Sequence, residues 1–206
     1  MVPADRLNWL INELSDMVLK TSKENLVVPE GMSSATDFML SMYSDAIKMF
    51  AADETCSVII NKLIDFAKED KISMALTKIS EPDVSVLENF AENATTEDQV
   101  KLWQLLTLVI PDGNPNAYAY MMLAENVADT NLEAGTKMYD FLLTLFPHHP
   151  LILMNAAECF FDAEQPEKAV KSLTHAKELC EKEPSNNIFQ ELLPEINTLL
   201  NAITEE

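Results

Sequence analysis

The stretch Pro150–Pro184, PLILMNAAECFFDAEQPEKAVKSLTHAKELCEKEP, decides the fold. Its small residues include Ala157, Ala169 and Ala176, and its large apolar ones include Leu153, Phe160 and Leu173. With Pro150 as position 1, the small residues fall at positions 8, 20 and 27, and the large ones at 4, 11 and 24. This is the spacing of a tetratricopeptide-type helix pair, whose period is about 34 residues. Positions 8 and 20 are small because helices A and B of one repeat cross closely there. Position 27 is small because the next repeat packs against it.

One period upstream, with Asn116 as position 1, Leu123 falls at 8, Gly135 at 20, Tyr139 at 24, Leu142 at 27 and Pro147 at 32. A glycine inside a helix costs about 1 kcal/mol against alanine. The close A–B crossing gives Gly135 its reason, because a missing Cβ lets the helices approach. Asp129, Thr130 and Asn131 between the two helices suit a turn and an N-cap. One more period upstream is weaker. With Ser80 as position 1, Leu87 falls at 8, Phe90 at 11, Trp103 at 24, Leu106 at 27 and Pro111 at 32, but Gln99 departs from the pattern at 20. The linker Pro111-Asp112-Gly113-Asn114-Pro115 is also longer than the strict period allows. This repeat is degenerate. After Pro184, residues Ile188, Leu192, Ile196, Leu199, Leu200 and Ile203 share one helical face. They predict the capping helix that an open array needs, with Pro194 placed to kink it.

Residues 1–79 show no such period. Four helical patterns occur there, over about 4–20, 35–51, 55–69 and 70–79. Thr21–Ser34, with Val27-Val28-Pro29-Glu30-Gly31, reads as a loop or mobile link. The expected fold is therefore all-α: a tetratricopeptide-type array with an N-terminal helical extension. The chain divides into an N-terminal helix and linker (1–34), a helical region (35–79), and three repeats with a cap (80–206). The amphipathic helix over 4–20 has two placements open to it. It packs on its own array, or it serves as a dimerisation arm in a homodimer.

Composition narrows the function. The net charge is −20, from 34 acidic against 14 basic residues, so the surface repels phosphate backbones and anionic lipid and argues against nucleic acid. No run is apolar for the roughly 18 residues a membrane span needs, and no signal-peptide core opens the chain, so a cytoplasmic protein without membrane insertion is expected. Three cysteines, Cys56, Cys159 and Cys180, are spaced for neither a disulfide framework nor zinc and read as buried small hydrophobes. His148-His149 stand in the turn between repeats with no carboxylate or cysteine at ligand spacing. No nucleophile elbow, phosphate loop, zinc helix or dinucleotide fingerprint occurs. Hence no enzyme is expected, and no catalytic residue, cofactor or metal.

What remains is the concave face. Positions 2, 5, 9 and 12 of each helix A point inward, as the 3.6-residue period requires. They are Glu81, Val84, Glu88 and Ala91 in the first repeat. In the second they are Ala117, Tyr120, Ala124 and Val127, and in the third Leu151, Met154, Glu158 and Phe161. The groove is thus apolar and aromatic toward the C-terminal half, with acidic edges, which fits a peptide ligand. The chain's own N-terminal helix is the competing occupant.

The run NAAECFFDAEQPEKAVKSLTHAKELCEKEP and its Leu/Ile-rich closing helix resemble the C-terminal end of the class II (tetratricopeptide) translocator chaperones of bacterial type III secretion. The upstream EDQVKLWQLLTLVIPDGNPNAYAYMMLAENV is similar to their first helix B and second helix A, so the resemblance covers roughly residues 80–203. It implies a bacterial cytoplasmic chaperone that keeps a hydrophobic translocator or other secreted subunit soluble before export. It also implies a client segment extended in the groove, and frequent dimerisation through N-terminal helices. Carried over, the groove residues are Tyr118, Tyr120, Met121, Met154 and Phe161. The chain departs from the family in its longer N-terminal region and in acidic Glu81 and Glu88. The alternative function is a tetratricopeptide scaffold or regulator that assembles folded partners.

Overall fold

The computed structural model describes residues 1–25 and 35–205. Among the described residues the chain is all-α, with eleven α-helices, a 3-10 turn and no strand. Its packing separates into two compact units, Met1–Leu123 and Ala124–Glu206.

In the first unit, helix α1 (Ala4–Asn25) carries Leu10, Leu14 and Val18 at a spacing of four, and all three are buried. They face α2 (Ala35–Ala52), α3 (Glu54–Glu69) and α4 (Ile72–Ala75) of the same chain. Leu10 and Leu14 close on Ile47, Phe50, Ile60 and Leu106 around a void of only about 20 Å³. Arg6 pairs with Asp65 of α3, and the Lys68 ammonium sits 5.4 Å from the Trp9 ring centroid. Its apolar stripe packs on its own chain. The helix also runs past the residue 20 expected from the pattern. Lys23 and Glu24 are good helix formers, and the first proline or glycine after them is Pro29. The rest of the expected loop, 26–34, lies outside the described residues.

Asp53 starts α3 by accepting the amides of Thr55 at 2.9 Å and Cys56 at 2.8 Å. Those donors, the Cys56 amide above all, hold the Asp53 carboxyl below the usual carboxylate range. Helices α5 (Glu81–Glu92) and α6 (Thr96–Leu106) form the pair expected from the degenerate repeat, with Leu87, Trp103 and Leu106 buried and Phe90 half-buried. The Gln99 departure has a local cause. Its side-chain amide donates to the Glu92 carbonyl at 2.9 Å, satisfying an orphan group at the end of α5. In the 3-10 turn Pro111–Gly113, Asp112 (φ 50°) and Gly113 (φ 82°) take left-handed backbone, which lets the chain turn into α7 (Ala117–Thr130).

Helix α7 ends in the second unit, which continues with α8 (Leu132–Leu145), α9 (Pro150–Asp162), α10 (Pro166–Lys182) and α11 (Asn187–Glu205). Helices α9 and α10 are the helix pair of the deciding stretch. Ala157, Ala169 and Ala176 are each 0 % exposed, and Leu153, Phe160 and Leu173 are buried around them. Asn131 caps α8 by accepting the Ala134 amide at 3.1 Å, as the turn chemistry predicts. A Cβ placed on Gly135 would lie 2.5 Å from the Ala128 Cβ and 2.6 Å from its Cα, so the α7–α8 crossing excludes any side chain there. His149 is not a free turn residue. Its Nδ1 accepts the Ile152 amide at 3.4 Å as the N-cap of α9, and burial pushes its pKa down, which keeps that nitrogen an acceptor. Helix α11 lies on α10 and touches α9, with Ile196 wholly buried.

Candidate functional site

Two clefts hold residues at the inward positions of the A helices. In the first unit, Ala117 joins Glu81, Val84, Glu88 and Asn116 around a cleft of about 260 Å³. Asn116 organises it. Its side-chain amide donates to Glu88 Oε1 at 2.9 Å, and its carbonyl oxygen accepts the Ala119 amide at 3.0 Å at the start of α7. Burial lifts the Glu88 pKa and nearby Glu92 adds to this, while the Asn116 bond opposes it. Tyr118 is 37 % exposed. Its hydroxyl donates to Glu92 Oε1 at 2.5 Å, and its ring meets Trp103 edge-on at 5.6 Å. Tyr120 is half-buried, with its hydroxyl pKa raised by burial, and Met121 is buried.

In the second unit, Val127, Leu151 and Phe161 are half-buried, while Ala124 and Met154 are buried. Met121, Ala124 and Met154 therefore present little surface, because the same helix faces that carry them also pack the core. Glu158 is exposed and lines a cleft of about 220 Å³ with Glu125, Asp129, Asp162, Asn155 and Tyr139. Of these, the inward spacing of single helices predicts only Glu158. Glu125 and Asp129 stand at repeat positions 10 and 14 of one helix A, and Asp162 at position 13 of the next. The cleft opens between successive A helices, so it draws on positions beside the inward line. Tyr139, at position 24, reads in sequence as a core residue only.

The electrostatics of this cleft are one-sided. Desolvation raises the Glu158 pKa, and Glu195, Asp162 and Glu125 raise it further. The folded protein thus holds this proton more tightly than the unfolded chain does. Stability falls as pH rises through the folded pKa, and at neutral pH the Glu158 charge opposes folding. Glu158→Gln should raise stability near pH 7 by a few tenths of a kcal/mol, about 1 °C in Tm, given its exposure. The gain should vanish in acid below the carboxylate range. Calorimetry across pH checks this, and a Tm loss at neutral pH would contradict it.

The three cysteines are buried free thiols, and burial pushes the Cys56 pKa up to about 12. Among the described residues, no group of three or more His, Cys, Asp or Glu could hold a metal ion. No described helix is long and apolar enough to cross a membrane.

Paired helices with small residues at their crossings, followed by a closing helix, define a tetratricopeptide-type helical repeat protein with an N-terminal helical extension. The solved structure of PcrH from Pseudomonas aeruginosa is similar to this chain, with a TM-score of 0.52 and 19% sequence identity over 63% of this chain and 97% of PcrH. That likeness concerns the fold. No family profile and no curated protein matches the chain.

Proposed function

We propose that the chain is a cytoplasmic chaperone of a bacterial type III secretion system. It binds an extended segment of a hydrophobic translocator, or another secreted subunit, and keeps it soluble before export. The observation that carries this reading is the match in fold to nearly the whole of PcrH, which is a type III secretion translocator chaperone. The A helices add a chemical argument. Tyr118 is exposed, and Tyr120, Val127, Leu151 and Phe161 are half-buried and apolar or aromatic on an otherwise acidic protein. Such side chains suit the anchors of a bound peptide.

The mechanism is mass action. A client segment held by the chaperone is withdrawn from aggregation and from premature assembly. Each buried apolar anchor contributes about 1.5–3 kcal/mol before ordering costs. No bond is made or broken, so affinity and release are the whole of the activity.

The test is co-expression in the native host, followed by identification of what co-purifies. A secreted, hydrophobic subunit bound through a short extended segment is expected. Tyr120→Glu with Phe161→Glu should cut client recovery at least roughly tenfold, with helicity by circular dichroism retained. Tyr120→Ala with Phe161→Ala serves if the charged pair misfolds. Undiminished recovery with a folded double variant removes these residues from the site. A folded cytoplasmic partner, with no short segment able to replace it, would point to a scaffold instead.

A further inference from the structure

The second unit holds an acidic cleft. Glu125 and Asp129 come from α7, and Glu158 and Asp162 from α9. Among the described residues, none of these four carboxylates has an ion-pair or hydrogen-bond partner. The basic residues nearby in sequence are engaged elsewhere: Lys137 pairs with Glu133, and Lys168 with Asp140. Tyr139 is the second, separate observation. It is 2 % exposed, yet it forms part of the cleft wall among Glu125, Asp129 and Glu158. Its hydroxyl has no hydrogen-bond partner among the described residues. The ring is buried while the hydroxyl opens onto the cleft, where it is free to bond whatever the cleft receives. Asn155 adds a side-chain amide to the same wall.

We propose that this cleft receives the side chain of an arginine or lysine from the bound client segment. A cation on a long stem matches what the cleft offers. The carboxylates and the Tyr139 oxygen are acceptors for guanidinium or ammonium donors, and Leu132, Ala128 and Cys159 line the wall where methylenes would lie. The volume, about 220 Å³, is several times the roughly 30 Å³ share of one water molecule. The four carboxylates repel one another when the cleft is empty, and a cation relieves that repulsion. The inference rests on the chaperone reading for the source of the side chain, but the site itself can be probed without a client. It adds a rule for client choice: the segment carries a basic residue in register with its apolar anchors, so a purely apolar segment binds less well.

The probe is N-acetyl-arginine amide, titrated into the isotope-labelled full-length chain near neutral pH and at about physiological ionic strength, where long-range attraction to the acidic surface is screened. Amide-resolved NMR should show saturable shifts confined to the end of α7, the Tyr139 turn of α8, and α9. N-acetyl-citrulline amide, the neutral isostere, should leave those amides unmoved. Glu158→Gln with Asp162→Asn should weaken binding at least roughly tenfold. Tyr139→Phe, which keeps the packing, should weaken it about threefold by removing one partner. Glu178→Gln with Glu181→Gln, on exposed α10 positions, makes the same change in net charge and should have no effect.

Non-saturable shifts, an equal response to citrulline, or equal weakening by the α10 pair would overturn the site. Retained affinity in the folded cleft variant would overturn it as well. A chain that captures its client but ignores the arginine probe sinks this inference alone. A chain that takes the probe in the cleft but captures no client keeps the cation site and sinks the chaperone reading.

Discussion

Gly135→Ala should destabilise the second unit by about 1–3 kcal/mol, although alanine is the better helix former. On a solvated helix face the change would stabilise by roughly 1 kcal/mol, so the sign is the test. The reason is the crossing of α7 and α8. The new Cβ would stand 2.5 Å from the Ala128 Cβ and 2.6 Å from the Ala128 Cα. The second of those atoms is backbone in a regular helix and has no rotamer to adopt, so the two helices must separate. Close-packed interiors resist that, because every displaced neighbour loses dispersion contact. Thermal unfolding should show a Tm lower by about 2–10 °C. Ala128→Gly in the same chain should restore only part of the loss, since the Cα clash remains. Full recovery, or a Tm above the parent's, would mean that the two helices can separate at little cost.

The same glycine shows what the sequence could convey. A helix-breaking residue in a helical pattern is costly, so its position in the repeat predicts a close crossing. The partner was another matter. The repeat pairs position 20 with position 8, which here is Leu123, yet the atom that excludes a side chain belongs to Ala128. Spacing identifies which residues must be small, whereas crossing angle and helix rotation select the neighbour. Ala157, Ala169 and Ala176 were legible for the same steric reason, and each is fully buried.

The clefts were less legible, because a groove belongs to two helices at once. Ala117 and Glu158 follow from the inward positions of single helices, and each lines a cleft. Glu125, Asp129 and Asp162 needed the spacing between neighbouring A helices, which a one-helix projection lacks. Tyr139 is the hardest case. As a large residue at position 24 it belongs to the core, and its ring is indeed buried. Only its hydroxyl reaches the cleft, and a residue pattern scores whole side chains rather than atoms. Met121, Ala124 and Met154 show the converse, since an inward-facing position can still be covered by its neighbours.

Ile196→Asp should cost more than about 4 kcal/mol. Ile196 is 0 % exposed on α11, whereas Leu192, Leu193, Leu199, Leu200 and Ile203 along the same helix are half-buried. An aspartate there would be desolvated, and the protein's excess of acidic residues adds repulsion. Ile196→Val, which only trims a methylene, should cost about 0.5–1.5 kcal/mol and keep the helix docked. The contrast between the two isolates the charge from the packing. The consequence of losing α11 follows from nearest-neighbour stacking, in which the last helix pair depends on the cap that covers it. Helix α11 lies along α10, where the Gln190 side chain donates to the Cys180 carbonyl at 3.3 Å. Freed of α11, α10 would expose Ala176 and Cys180 and lose an outer partner. Hydrogen exchange should therefore show α11 unprotected, protection falling next in α10 and α9, and amides of α2 and α6 in the first unit unchanged. Uniform loss across both units would mean that the chain unfolds as one cooperative body and that the cap is not a local device. Full protection of α10 without α11 would mean that the last helix pair closes itself, and that the apolar face of α11 serves some purpose other than capping.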